Sequence, residues 1–215
     1  MTKSEITTQI GYRYRSASRN FITDDEILSE LNRSIDRLNG KLDLAGTIVE
    51  TTFSFTGDGT YTFTSLGITD FKRPISLYDR TNNIGYKRVS LSSLREQEDS
   101  RNAIYSIKGT NLVIESGVGS ATLTLIYYST NDCFNSGGTL RKGLSASTDY
   151  PALQTRFHDY FVEDTAAVLF RKEKKFDDYK IAKEEAKEIF SEILDENPTQ
   201  EEKIVSLITP YGETY

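Results

Sequence analysis

The side chains that most often carry chemistry are scarce in this chain, which has a single histidine, His158, and a single cysteine, Cys133, among 215 residues. A nucleophilic triad needs a base beside its nucleophile. His158 stands beside Leu153, Phe157 and Phe161 near the start of a predicted helix, so it reads as a partly exposed structural histidine. Cys133 lies in a polar stretch with no second cysteine at zinc or redox spacing and reads as a free thiol. Asp24-Asp25-Glu26 resembles a cation site only superficially, because carboxylates at a helix start are favoured by the macrodipole. Gly117-Val118-Gly119-Ser120 lacks the lysine and helix of a phosphate loop and reads as a turn. Asn32-Arg33-Ser34 matches a glycosylation acceptor formally but falls on a predicted helix. Acidic side chains that could pair for glycoside hydrolysis cluster at caps and on lysine-rich helical faces, where solvation accounts for them. The expectation is a protein that is not an enzyme, with no catalytic, cofactor-binding or metal residues, whose surfaces and element ends carry its function.

Composition sharpens this. The net charge of -6 and a pI near 5.0 argue against a sequence-independent grip on phosphate. A lone cysteine, no apolar leader after Met1 and no run long enough to span a bilayer predict a protein kept in a reducing cytoplasm, away from membranes. Lys3, Arg13, Arg15 and Arg19 make the first twenty residues basic, whereas Asp195, Glu196, Glu201, Glu202 and Glu213 make the end acidic. These ends read either as solvated arms or as complementary sockets for neighbouring subunits.

The elements that must position such surfaces follow from caps and periods. Thr23-Asp24-Asp25-Glu26 forms a capping box, and Ile27, Leu28, Leu31, Ile35, Leu38 and Leu42 follow as one apolar stripe, opposite Asn32, Arg33, Asp36 and Arg37. From Gly46 the period changes to two. Val49 to Phe55, a turn at Gly57-Asp58-Gly59, and Tyr61 with Phe63 predict a hairpin. Phe71 to Asp79 and Tyr86 to Leu91 predict a second pair, with Pro74 at an edge or strand start. Ser92 to Ser100 reads as helical, and Ile104 to Ile107, Leu112 to Ile114 and Leu123 to Tyr128 as three more strands. The thirteen tyrosines and eleven phenylalanines, many at period two, read as sheet core in preference to a base- or sugar-stacking surface.

Residues 131–147 follow neither period and read as a connection. Pro151 suits a first helical turn, and Leu153, Phe157, Tyr160, Phe161, Asp164 and Val168 continue at helical spacing. Tyr179, Ala182, Ala186, Ile189, Phe190 and Ile193 repeat the pattern. One unbroken helix of about forty-five residues would span roughly 67 Å, so a helical hairpin is expected, turning near Lys174 to Asp178 with Asp177 or Asp178 as cap. The fold class is thus α+β: a helical bundle of one N-terminal helix plus a C-terminal helical hairpin, with an inserted antiparallel β-sheet or small barrel. Its expected parts are an arm (1–22), a helical domain (23–45 and 148–196), a β-insertion (46–130), a connecting loop (131–147) and a C-terminal tail (197–215).

That tail concentrates Ile204, Val205, Leu207 and Ile208 before Pro210. It either folds back on its own domain or orders on a partner. Burying four aliphatics is worth about 6 to 12 kcal/mol gross, against an ordering cost of roughly 2 to 5 kcal/mol.

The layout resembles the head-tail adaptor, or connector, proteins of tailed bacteriophages. Residues 31–39 (LNRSIDRLN) resemble that family's first helix, Asp70-Phe71-Lys72-Arg73-Pro74 the approach to its sheet insertion, and Pro151 to Leu194 its closing helical pair. Together they cover most of residues 20–195, although Gly67-Ile68-Thr69 stands where the family commonly has a proline. The resemblance implies a homo-oligomeric ring, usually of twelve subunits, at the virion neck. It would be assembled in the host cytoplasm between the portal and the next tail or neck protein, with DNA passing through unbound. Ile204, Val205, Leu207, Ile208 and Tyr211 are then the expected portal-docking residues. A sheet-rich carbohydrate-binding tail accessory and a carboxylate-dependent hydrolase are the alternative readings.

Overall fold

The computed structural model describes residues 1–14, 22–96, 103–115 and 119–197. Its α-helices are α1 (Lys3–Tyr14), α2 (Asp24–Lys41), α3 (Leu91–Glu96), α4 (Asp159–Lys172) and α5 (Phe176–Glu196). The strands are β1 (Ile48–Phe55), β2 (Gly59–Thr62), β3 (Phe71–Asp79), β4 (Ile84–Arg88), β5 (Ile104–Lys108), β6 (Asn111–Glu115), β7 (Ala121–Ser129), β8 (Cys133–Phe134), β9 (Leu140–Arg141) and β10 (Tyr150–Pro151). The chain divides into two compact units, one made of Met1–Thr47 with the chain from Asn131 on, the other of Ile48–Thr130.

In the helical unit α2 forms as its capping box dictates. Thr23 Oγ1 accepts from the Glu26 amide at 3.2 Å, and Glu26 Oε2 accepts from the Thr23 amide at 3.1 Å. Ile27, Leu31, Ile35 and Leu38 are buried along one face. The expectation of a mere arm before Thr23 is corrected. Lys3–Tyr14 is a helix because Ile6, Ile10 and Tyr14, four apart, line one buried face. The bundle therefore opens with two helices, not one. α4 packs against α1, α2 and α5, which is why its buried set runs almost all the way round. The fully buried Ala166 and Ala167 on α4, with Ala182 and Ala186 on α5, keep the contacts of this layer close.

The helical hairpin turns at 173–175. The Lys175 amide bonds the Phe170 carbonyl and the Lys174 amide bonds that of Arg171, with Lys174 left-handed at φ 61°. This is a Schellman motif whose usual glycine is a lysine. Asp177 and Asp178 sit in the first turn of α5 without capping it, since the N-cap is Lys175 and makes no side-chain cap bond. They complement the macrodipole instead. Lys174→Gly should raise stability by about 0.5–1 kcal/mol. Relief of roughly 1–2 kcal/mol of left-handed strain is partly offset by the freer unfolded chain. A thermal melt a few degrees above the parent's checks it.

Pro151 lies in β10, not in a helix, and α4 starts eight residues later at Asp159. The expected connection at 131–147 instead contributes β8 and β9 to a small antiparallel sheet of order β10-β8-β9. Two buried carboxylates pin this region. Asp132 accepts from Lys142 Nζ (2.7 Å) and the Gly143 amide (2.8 Å), and Asp149 from the Ser145 and Ala146 amides, both at 2.7 Å.

The second unit corrects the expected antiparallel insert or small barrel. It holds a seven-stranded mixed sheet of order β1-β7-β3-β4-β5-β6-β2, in which β4 and β5 run parallel and the other neighbours antiparallel. Nor do β1 and β2 form a ladder with each other, as the turn between them suggested. β1 pairs with β7 over eight positions, and β2 pairs with β6. Yet these two edge strands are joined by only three residues, and the Tyr61 ring on β2 lies 5.8 Å from that of Phe55 on β1, tilted by 44°. The sheet must therefore curl until its edges approach. Tyr61 Oη, donating to the Gly57 carbonyl at 2.5 Å, ties the turn down. Pro74 sits near the start of β3 at a register shift, before β4 begins to pair, so its missing N–H costs the β4 ladder nothing. The aromatic residues face inward: Phe53, Phe55, Phe63, Tyr86, Tyr105 and Tyr127 belong to one buried cluster.

Candidate functional surface

Two buried acids organise one side of the helical unit. Asp164 projects from α4 at a position on the apolar stripe and is only 4% exposed. It accepts from Ser34 Oγ at 2.7 Å, Arg37 Nη2 at 2.6 Å and Lys183 Nζ at 3.2 Å. Burial pushes this carboxyl up, but the Arg37 and Ser34 hydrogen bonds and the nearby cations outweigh it, leaving it below the ordinary carboxylate range. Glu30 on α2, equally buried, accepts from Arg33 at 2.7 Å and Lys172 at 3.0 Å. It too is lowered, burial being outweighed by Lys172 and then Arg33. Arg37, on the face opposite the α2 apolar stripe, thus ties α2 to α4, Lys183 ties α5 to the same carboxylate, and Arg33 braces Glu30 within α2. The side chains of Arg33, Arg37, Lys172 and Lys183 stay 44–66% exposed and make this side a basic ridge. Asn32 does different work, donating to the Leu144 carbonyl and accepting from its amide at 3.2 and 2.8 Å.

The exposed surface of α5 divides by sign. At 100° per residue, Lys180, Lys183 and Lys187 share one sector beside α2, where the Lys41 ammonium also sits 5.5 Å from the Phe190 ring. The acids occupy the adjoining sectors, Asp177, Glu184, Glu188, Glu192 and Asp195 facing out and Glu185 turned toward α1. There Arg13 bridges Glu163 at 2.9 Å and Glu185 at 2.5 Å. Among the described residues, two long contacts of 3.9 Å, Lys180 to Asp177 and Lys187 to Glu184, cross the border. The sheet unit carries eight Lys and Arg against eight Asp and Glu, so the whole formal charge of -6 falls on the helical unit.

The sequence-selected chemical residues sit elsewhere. His158 is 1% exposed, correcting the expectation of a partly exposed ring. Its Nδ1 lies 2.8 Å from the Met1 nitrogen and its Nε2 2.8 Å from the Leu153 carbonyl oxygen. A carbonyl can only accept, so Nε2 carries the proton and Nδ1 accepts. Burial holds the imidazole below its ordinary pKa. The unfolded chain then binds its proton first, so stability should be complete above about pH 6.5 and fall as pH drops from there toward the lower folded value. Urea unfolding across that range, with NMR titration of the single imidazole, checks both the slope and its source. Cys133 is buried, and burial, then Asp132, push its thiol far up, so it stays protonated. The Glu26 carboxylate is committed to its cap, while Asp24 and Asp25 line a groove of about 570 Å3 with Lys3, Thr7 and Thr8.

Ile204, Val205, Leu207, Ile208 and Tyr211 lie outside the described residues, as do Gly117 and Val118. Sequence reasoning missed the α5 partition, although the spacing of Lys180, Lys183 and Lys187 encodes it. It also placed Asp164 on an apolar stripe without drawing the consequence, that an acid there must be buried and paired. No protein-family model and no curated protein matches the chain.

Proposed function

We propose that the protein is a virion structural subunit that assembles into a ring, of about twelve copies if it follows the family it resembles, joining the capsid portal to the tail of a bacteriophage. The observation that carries this reading is the two-signed surface of the helical unit. Basic and acidic sectors side by side on one unit suit contact with further copies, and the unit's net charge of -6 lets DNA pass without being gripped. The inward-facing sheet aromatics favour a core role over the sugar-stacking strip of a carbohydrate-binding module. In this account the aliphatic tail, through Ile204, Val205, Leu207, Ile208 and Tyr211, docks on the portal, and repetition around the ring supplies avidity. Truncation after Asn197 should leave thermal unfolding unchanged within about 0.5 kcal/mol and abolish co-sedimentation with purified portal rings. Undiminished co-sedimentation would rule the tail out as the fastener, and no binding by the full chain would reject the role itself.

A further inference from the structure

We infer, on the reading that the protein works as a ring of copies, that α5 forms the joint between them: the basic ridge of one copy seats against the acidic sectors of the next. α5 is about 30 Å long, exposes both signs along its length and has every lysine in one sector. The two sectors are different patches, so contact between them is heterologous and propagates from copy to copy until the rotation closes. Such matching fixes register and speeds encounter more than it adds affinity. The basic side is also pre-organised, because Asp164 and Glu30 hold Arg37, Lys183, Arg33 and Lys172 in place. A phosphate polyanion is the poorer occupant, since the acidic sectors adjoin the lysines on the same helix.

Charge reversal tests this in the full chain. Variant one carries Lys180→Glu and Lys187→Glu, and variant two carries Glu188→Lys, Glu192→Lys and Asp195→Lys. All five sites are exposed, and Lys183 is spared because it bonds Asp164. Circular dichroism verifies that both fold. By sedimentation velocity at about 20 mM salt, where screening is weak, the parent should associate with rising concentration. Each variant alone should associate roughly tenfold or more weakly, and an equimolar mixture of the two should recover association. Addition of about 0.5 M salt should disperse the parent.

A parent that stays monomeric at low salt, variants that associate as it does, or a mixture that fails to recover would each overturn the joint. So would duplex DNA held by the basic ridge with no association between copies. Portal binding by the full chain that ignores these charges would leave the neck role standing and remove only the joint. Recovered association in a protein that never binds a portal would do the reverse.

Discussion

Phe161→Ala should cost about 3–5 kcal/mol, a large part of the 5–15 kcal/mol typical of a folded domain. Phe161 is 1% exposed at the centre of the helical unit, on the helix that touches α1, α2 and α5. Its ring meets that of Tyr160 edge-on at 5.5 Å and lies 6.1 Å from the His158 ring. Truncation removes the transfer free energy of the ring and leaves a void that three packed neighbours cannot fill by moving together. Urea unfolding reads the loss directly. Phe176→Ala is the control, since that ring is 59% exposed and its removal should stay within about 0.5 kcal/mol. Equal effects at the two sites would contradict the placement of the core.

Asp164→Ala should cost about 1.5–3 kcal/mol, the range for hydrogen bonds to a charged partner. The figure sits below the roughly 3–5 kcal/mol of a fully buried broken pair, because Arg37 and Lys183 are half exposed and turn toward water when released. Ser34 cannot escape in this way, since its hydroxyl is fully buried and loses its acceptor. Adding Ser34→Ala should therefore cost less than additivity requires, which a double-mutant cycle measures. The carboxyl is lowered in the folded state. Its contribution is thus complete above the ordinary aspartate value of about 4 and disappears as pH falls through the folded value. The Asp164→Ala variant should show a shallower acid slope than the parent below that point. An unchanged slope would mean that Arg37 and Lys183 do not hold the charge.

How far the sequence reached depended on whether a feature was local. The start of α2 was legible because a capping box and a stripe agree over a few residues, and the helical hairpin because two stripes flank a charged stretch without either. The turn lies at the start of the expected 174–178 stretch, but its form was not legible, since it depends on Lys174 taking a left-handed conformation in a Schellman motif in place of an aspartate cap. α1 was not legible because its apolar stripe is only Ile6, Ile10 and Tyr14 on an otherwise polar segment. The strands of the sheet unit were found at nearly their own positions, but alternation says only that a segment is extended, not which segment it meets. The long β1 to β7 ladder overrode the turn between β1 and β2. Two-residue strands such as β8 and β9 have no period to read. Of the candidate surface, single charges were visible and their partition was not, because it shows only once α5 is wound as a helix.

Under the proposed function, this chain works by fitting against copies of itself on a symmetric platform. Electron microscopy of the protein mixed with purified portal rings tests it most directly. A closed collar of copies coaxial with the portal is expected, each α5 placing its lysines against the acidic sectors of its neighbour. Portals left bare, or decorated by isolated copies whose α5 faces only solvent, would contradict it.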